Sequence, residues 1–136
     1  MESKRSETMR YRRIWICVLL LPLALLYGII RYGLYALHGM QDWPNVLAAF
    51  VLVVLAVALL RGRIYLALTA VFGYGAGFGL GLLFGRSGVD AGGGATNSLW
   101  LVWMVCLLVF TGIGVLAEVL VTQIKKKKVP RGRRYR

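Results

Sequence analysis

The run IYLALTAVFGYGAGFGLGLLFG, Ile64–Gly85, holds 22 residues without a charged side chain. An α-helix rises 1.5 Å per residue, so about 20 residues cross a hydrocarbon core of about 30 Å, and this run is long enough. Its second half carries glycine at every fourth position, Gly73, Gly77, Gly81 and Gly85, with Gly75 and Gly79 as a second series. At about 100° per residue the first series spans about 120° of arc, and the second lies on the opposite side. Lipid offers no hydrophobic drive between helices, so close backbone approach at small residues carries association there. The run therefore predicts a membrane helix with two smooth faces, packed centrally in a bundle or between subunits.

Three further blocks lack charge: Ile14–Ile30, Val46–Leu60 and Leu99–Ala117. The first extends past Arg31 to Leu37, and the second reaches spanning length when Trp43, Pro44 and Asn45 form its first turn. Blocks this long without polar–apolar alternation do not suit a barrel wall. The expected fold is an all-α integral membrane protein, a four-transmembrane-helix bundle with spans at 14–37, 43–60, 64–85 and 98–124. A basic segment, 1–13, precedes it. A polybasic tail, 125–136, follows and has too little apolar content to fold.

Charge sets the orientation, because cytoplasmic flanks collect Lys and Arg. With four spans, both termini and the turn Arg61-Gly62-Arg63 share one side, and that side holds all but Arg31 and Arg86 of the 17 basic residues. Both termini are predicted cytoplasmic, in a multi-pass cell-membrane protein whose short loops suit a bacterial inner membrane. The net charge of +12 is accounted for by topology before nucleic acid is invoked. Lys125, Lys126, Lys127, Lys128, Arg131, Arg133 and Arg134 are candidate contacts to anionic lipid, at about 1 kcal/mol each. The basic stretch before Ile14 resembles a signal peptide only in outline; its apolar segment is too long and no Ala-x-Ala site follows, so it reads as a retained anchor.

Few side chains carry chemistry. Glu118 is the one acid within an apolar block, and an intramembrane carboxylate is a functional candidate by default. It stands about 10 Å short of Lys125 at 1.5 Å per residue, where Arg61 and Arg63, or else Arg13 and Lys125, are available as partners for an ion pair or a proton site. Pro22 cannot donate to the carbonyl of Val18 and predicts a kink. Asp42 before Trp43-Pro44 reads as an N-cap. Trp100 and Trp103 read as anchors at the outer interface. His38 has no ligand-type neighbour at metal spacing, and Cys17 and Cys106 differ in membrane depth by about 15 Å, too far for a bridge. The loop from Arg86 to Ser98 reads as a flexible connector with Thr96, Asn97 or Ser98 capping the fourth helix.

No Ser or Cys has a nearby base and no carboxylate pair occurs at membrane depth, so the chain is not read as an enzyme, and no cofactor or metal is expected. By size and span number it is similar to small multidrug resistance exporters and to dual-topology fluoride channels. It lacks the exporters' acidic residue in the first span and the channels' polar pore residues, and its charge bias opposes dual insertion. The favoured reading is a protein acting by helix–helix association, as an accessory subunit, assembly factor or scaffold. Its partners would be anionic lipid and either its own copies or another membrane subunit. The alternative is a small oligomeric transporter or channel.

Overall fold

The computed structural model describes residues 2–128; Arg131, Arg133 and Arg134 of the expected lipid-binding tail lie outside them. Four helices are long and apolar enough to cross a membrane: Ser3–Gly33, Trp43–Arg61, Ile64–Phe84 and Leu99–Lys128. The architecture is compatible with an all-α helical bundle.

The first span is built in pieces. Helix α1 (Glu2–Val18) and helix α2 (Leu20–Gly28) meet at Leu19, one residue past the Val18 carbonyl that Pro22 leaves without its donor. The bonds from Leu19 N to Trp15 O (3.1 Å) and from Leu23 N to Leu19 O (3.3 Å) carry the chain across the gap. A π-helical segment, Ile29–Gly33, follows, closed by Leu34 N donating to Ile29 O at 2.8 Å. Helix α3 (Tyr35–His38) ends at Gly39, which takes the left-handed conformation at φ 63°.

Helix α4 (Trp43–Arg61) has Pro44 in its first turn, where the missing N–H costs nothing. Asp42 precedes it but makes no side-chain cap, a correction to the sequence reading. Its backbone is already right-handed helical (φ −94°, ψ −36°), whereas a capping side chain reaches the first amides from an extended backbone. Gly62 ends the helix at φ 63°, and Arg63 N donates to Ala58 O at 2.8 Å, the bond of a Schellman turn. That turn reverses the chain into helix α5 (Ile64–Phe84).

The loop expected to be a flexible connector is a β-hairpin, β1 (Ser87–Val89) against β2 (Ala95–Asn97), with Ser87 opposite Asn97, Gly88 opposite Thr96 and Val89 opposite Ala95. Asp90 organises its turn, with Oδ1 accepting from Gly92 N (2.9 Å) and Gly94 N (2.7 Å). Ser98 closes its base: Arg86 N donates to Ser98 Oγ at 2.8 Å, and Ser98 N donates to Arg86 O at 3.0 Å. Asn97 Oδ1 accepts the Leu99 amide at 2.8 Å, satisfying a donor at the start of helix α6 (Leu99–Lys128).

Helix continues beyond the expected spans at both ends. The N-terminal basic segment is helical from Glu2, and α6 runs on through Lys128, where the sequence predicts a disordered tail from residue 125. Extending an existing helix is far cheaper than nucleating one, and lysines in the last turn oppose its dipole favourably.

Helix α5 is the central element. Half of its membrane window (50%) is buried, against 17% for the first and last spans, and it packs on α1, α2, α4 and α6, whereas α6 packs extensively on α5 alone. The buried core runs through Ile16, Leu23 and Ile30 of the first span, Val51, Leu55 and Ala58 of α4, Ala67, Ala70, Tyr74 and Phe78 of α5, and Trp103 and Leu107 of α6.

Candidate functional site

The glycines of α5 face two ways. A Cβ added to Gly73 would lie 2.6 Å from Phe110 Cβ, one at Gly77 would lie 2.9 Å from Trp103 Cδ1 and 3.1 Å from Trp103 O, and one at Gly81 would lie 3.0 Å from Leu99 O. Gly85 stands against Leu99 in the same row, with its Cβ position 3.1 Å from Leu99 Cα. This series is therefore covered by α6 of the same chain. On the other side, a Cβ at Gly75 would meet Leu26 Cδ1 at 3.1 Å, while Gly79 has nothing within 4 Å. Gly114 of α6 returns the favour beyond the glycine run, with its Cβ position 3.0 Å from Leu66 Cα.

The large residues facing these glycines form a second feature. Trp103 is fully buried, which corrects its expected place at the outer interface. Its Nε1 donates to Tyr74 O at 2.8 Å, and its ring lies 5.0 Å from that of Tyr74 and 5.1 Å from that of Phe78. Tyr74 in turn donates its hydroxyl to Pro44 O at 3.2 Å. The signal is in the sequence in retrospect: Leu99, Trp103 and Leu107 repeat every fourth residue, as Gly73, Gly77 and Gly81 do, so a bulky row meets a bare one. Trp100 lies off that row and stacks on Trp43 at 4.5 Å.

His38 completes this end of the bundle. It is 6% exposed, its Nδ1 accepts from Met40 N at 3.0 Å, and its Nε2 stands 2.8 Å from Ile30 O. With Nδ1 as acceptor, Nε2 carries the proton and donates, so the ring is neutral in this arrangement. In the π-helical turn Leu34 N donates to Ile29 O rather than to Ile30 O, which leaves the Ile30 carbonyl open to His38.

At the opposite end, Glu118 is 4% exposed, and its Oε1 accepts the backbone amide of Tyr65 at 2.8 Å. That amide is one of the donors left open at the start of α5, where a negative charge also complements the helix dipole. The sequence offered Arg61 and Arg63, or else Arg13 and Lys125, as partners; the bond formed is to the backbone amide two residues past Arg63. Arg61 is exposed and Arg63 half-buried. Arg12 of α1 donates Nη1 to Gly62 O at 3.1 Å, which fastens the N-terminal helix to the same turn.

Glu118 also lies on a cavity of about 440 Å³ between α1 and α6, lined by Arg5, Arg12, Val121, Thr122, Lys125 and Lys126. Lys127 and Lys128 are exposed on the last helical turn. Among the described residues no three His, Cys, Asp or Glu side chains come together as metal ligands, and Cys17 and Cys106 are free. The chain matches no family model, no curated protein and no solved structure.

Proposed function

We propose that this chain is a multi-pass cell-membrane protein, with both termini cytoplasmic, that works by association as an accessory subunit, assembly factor or scaffold. One observation carries the reading: α6 packs extensively on α5 alone, so the bundle has an open edge. Leu101, Val105, Leu108, Val109, Leu116 and Leu120 lie exposed along α6, offering a partner helix a full-length surface. Because Gly73, Gly77, Gly81 and Gly85 are covered within the chain, association uses the outer face of α6 rather than the glycine row. The interior supports the same reading. Among the described residues the buried polar side chains are His38 and Glu118, both hydrogen-bonded, and no buried polar side-chain atom there lacks a partner.

Native mass spectrometry of the tagged chain, gently extracted from its own cells, tests this. A stoichiometric foreign membrane partner, lost when Val105 and Leu116 are changed to Trp, is the expected result. A monomer without partners overturns the reading. A homo-oligomer shifts the weight to the transporter or channel alternative, to be followed by liposome flux measurements with Glu118→Gln.

A further inference from the structure

The cleft between the N-terminal helix and the end of α6 has the chemistry of a ligand site rather than of a merely solvated surface. Arg5 and Arg12 of α1 line one side and Val121, Thr122, Lys125 and Lys126 of α6 the other, with the buried Glu118 of α6 as the floor. Four cations thus face one carboxylate, and that carboxylate is already engaged by the Tyr65 amide. Arg12 uses one guanidinium nitrogen on Gly62 O, leaving its other donors free to turn into the cleft. The volume of about 440 Å³ falls in the range of small-ligand sites, about 300–1,000 Å³.

Depth narrows the ligand. On α1 the basic residues give way to the apolar run immediately after Arg13, and on α6 the apolar run gives way to lysine at Lys125. Arg5 stands about 10 Å outside Arg12, and Lys125 about 10 Å outside Glu118, at 1.5 Å per residue. The cleft therefore straddles the boundary of the apolar belt, the level of phospholipid headgroups. Guanidinium and ammonium groups pair with phosphate oxygens through charge-assisted bonds. A carboxylate at the floor disfavours a bare anion but accepts from a hydroxyl, so a phosphate ester with a neighbouring hydroxyl matches both parts.

We propose that the cavity lined by Arg5, Arg12, Lys125, Lys126, Thr122 and Glu118 is a stoichiometric binding site for a glycerophosphate group, presented by an anionic phospholipid or by the free ester. Phosphate pairs with the arginine and lysine side chains; in the free ester a glycerol hydroxyl donates to Glu118, whereas a phospholipid, whose headgroup hydroxyls lie on the aqueous side of its phosphate, is held through the phosphate alone. The site is independent of the association reading, since it rests on the cavity between α1 and the end of α6 and on the membrane placement of the four spans.

The test uses the full chain in a maltoside detergent, with lipid retention followed by native mass spectrometry during titration with phosphatidylglycerol and, separately, phosphatidylcholine. One phosphatidylglycerol per chain is expected, in preference to phosphatidylcholine. The double variant Arg5→Gln/Lys126→Gln weakens retention about tenfold or more, whereas Lys127→Gln/Lys128→Gln, which removes equal charge outside the cleft, leaves it within about twofold of the unaltered chain. Unchanged melting temperatures keep folding out of the comparison. Equal losses in the two variants, or no preference for phosphatidylglycerol, overturn the site. Competition with millimolar glycerol 1-phosphate identifies the source: displacement supports the site with the free ester as a ligand, and lipid retained against it supports the site with the bilayer as supplier.

Discussion

A Cβ at Gly77 would press on both the indole and the backbone of Trp103, with separations of 2.9 and 3.1 Å, while a Cβ at Gly79 would meet nothing within 4 Å. The two glycines lie on one helix, two residues apart, and their substitutions should behave oppositely. Gly77→Ala is expected to cost about 1–3 kcal/mol through overpacking, because α6 has to move as a whole to relieve a backbone contact. Gly79→Ala should be neutral or stabilising by up to about 1 kcal/mol, since alanine is the better helix former. Thermal unfolding of both variants in one detergent measures the contrast, and equal losses would show that the glycine row is not covered as described. Trp103→Phe keeps most of the ring packing but removes the donor to Tyr74 O. A loss of about 0.5–1.5 kcal/mol is expected in the same assay.

Among the elements, the start of α5 and the π-helical turn each depend on one side chain. Glu118→Gln retains an acceptor for the Tyr65 amide and should stay within about 1 kcal/mol of the parent, whereas Glu118→Leu leaves that amide without a partner and should lose about 1–3 kcal/mol. Chemical denaturation of the two variants side by side reads the difference. His38→Leu withdraws both the donor to Ile30 O and the acceptor for Met40 N, so amide exchange at Met40 and Leu34 is expected to quicken while exchange in α5 is unchanged. The long apolar blocks made the four helices legible, because an uncharged run of spanning length has few other uses. The role of His38 was not legible: it depends on a π-helical turn that no local pattern announces. The hairpin at β1–β2 was concealed by its glycine content, and Asp90, which folds the turn, reads in sequence as one acid among small residues. Trp103 was misplaced because indoles near a span's end suit an interface, and only the register against Gly77 assigns it to the interior.

For the whole molecule, the alternation of the four helices brings the N-terminal helix, the Arg61–Arg63 turn and the end of α6 to one end, and the β-hairpin to the other. In sealed vesicles of single orientation, Ser6→Cys and Gln123→Cys should react with an impermeant maleimide from the same side, and Ser87→Cys from the opposite side. Labelling of Ser6→Cys and Gln123→Cys from different sides would contradict the arrangement. The bare face of α5 also means that the last helix is held by a complementary surface and not by its covalent connection. Cut between Gly92 and Gly93, the chain becomes a three-helix fragment bearing a matched groove and a single helix shaped to fill it. The two pieces, expressed separately in one cell, should reassemble and copurify, and Gly77→Leu in the larger piece should prevent it. The β-hairpin is then a clasp of convenience, and the information that joins the two parts resides in the absence of side chains along one side of α5.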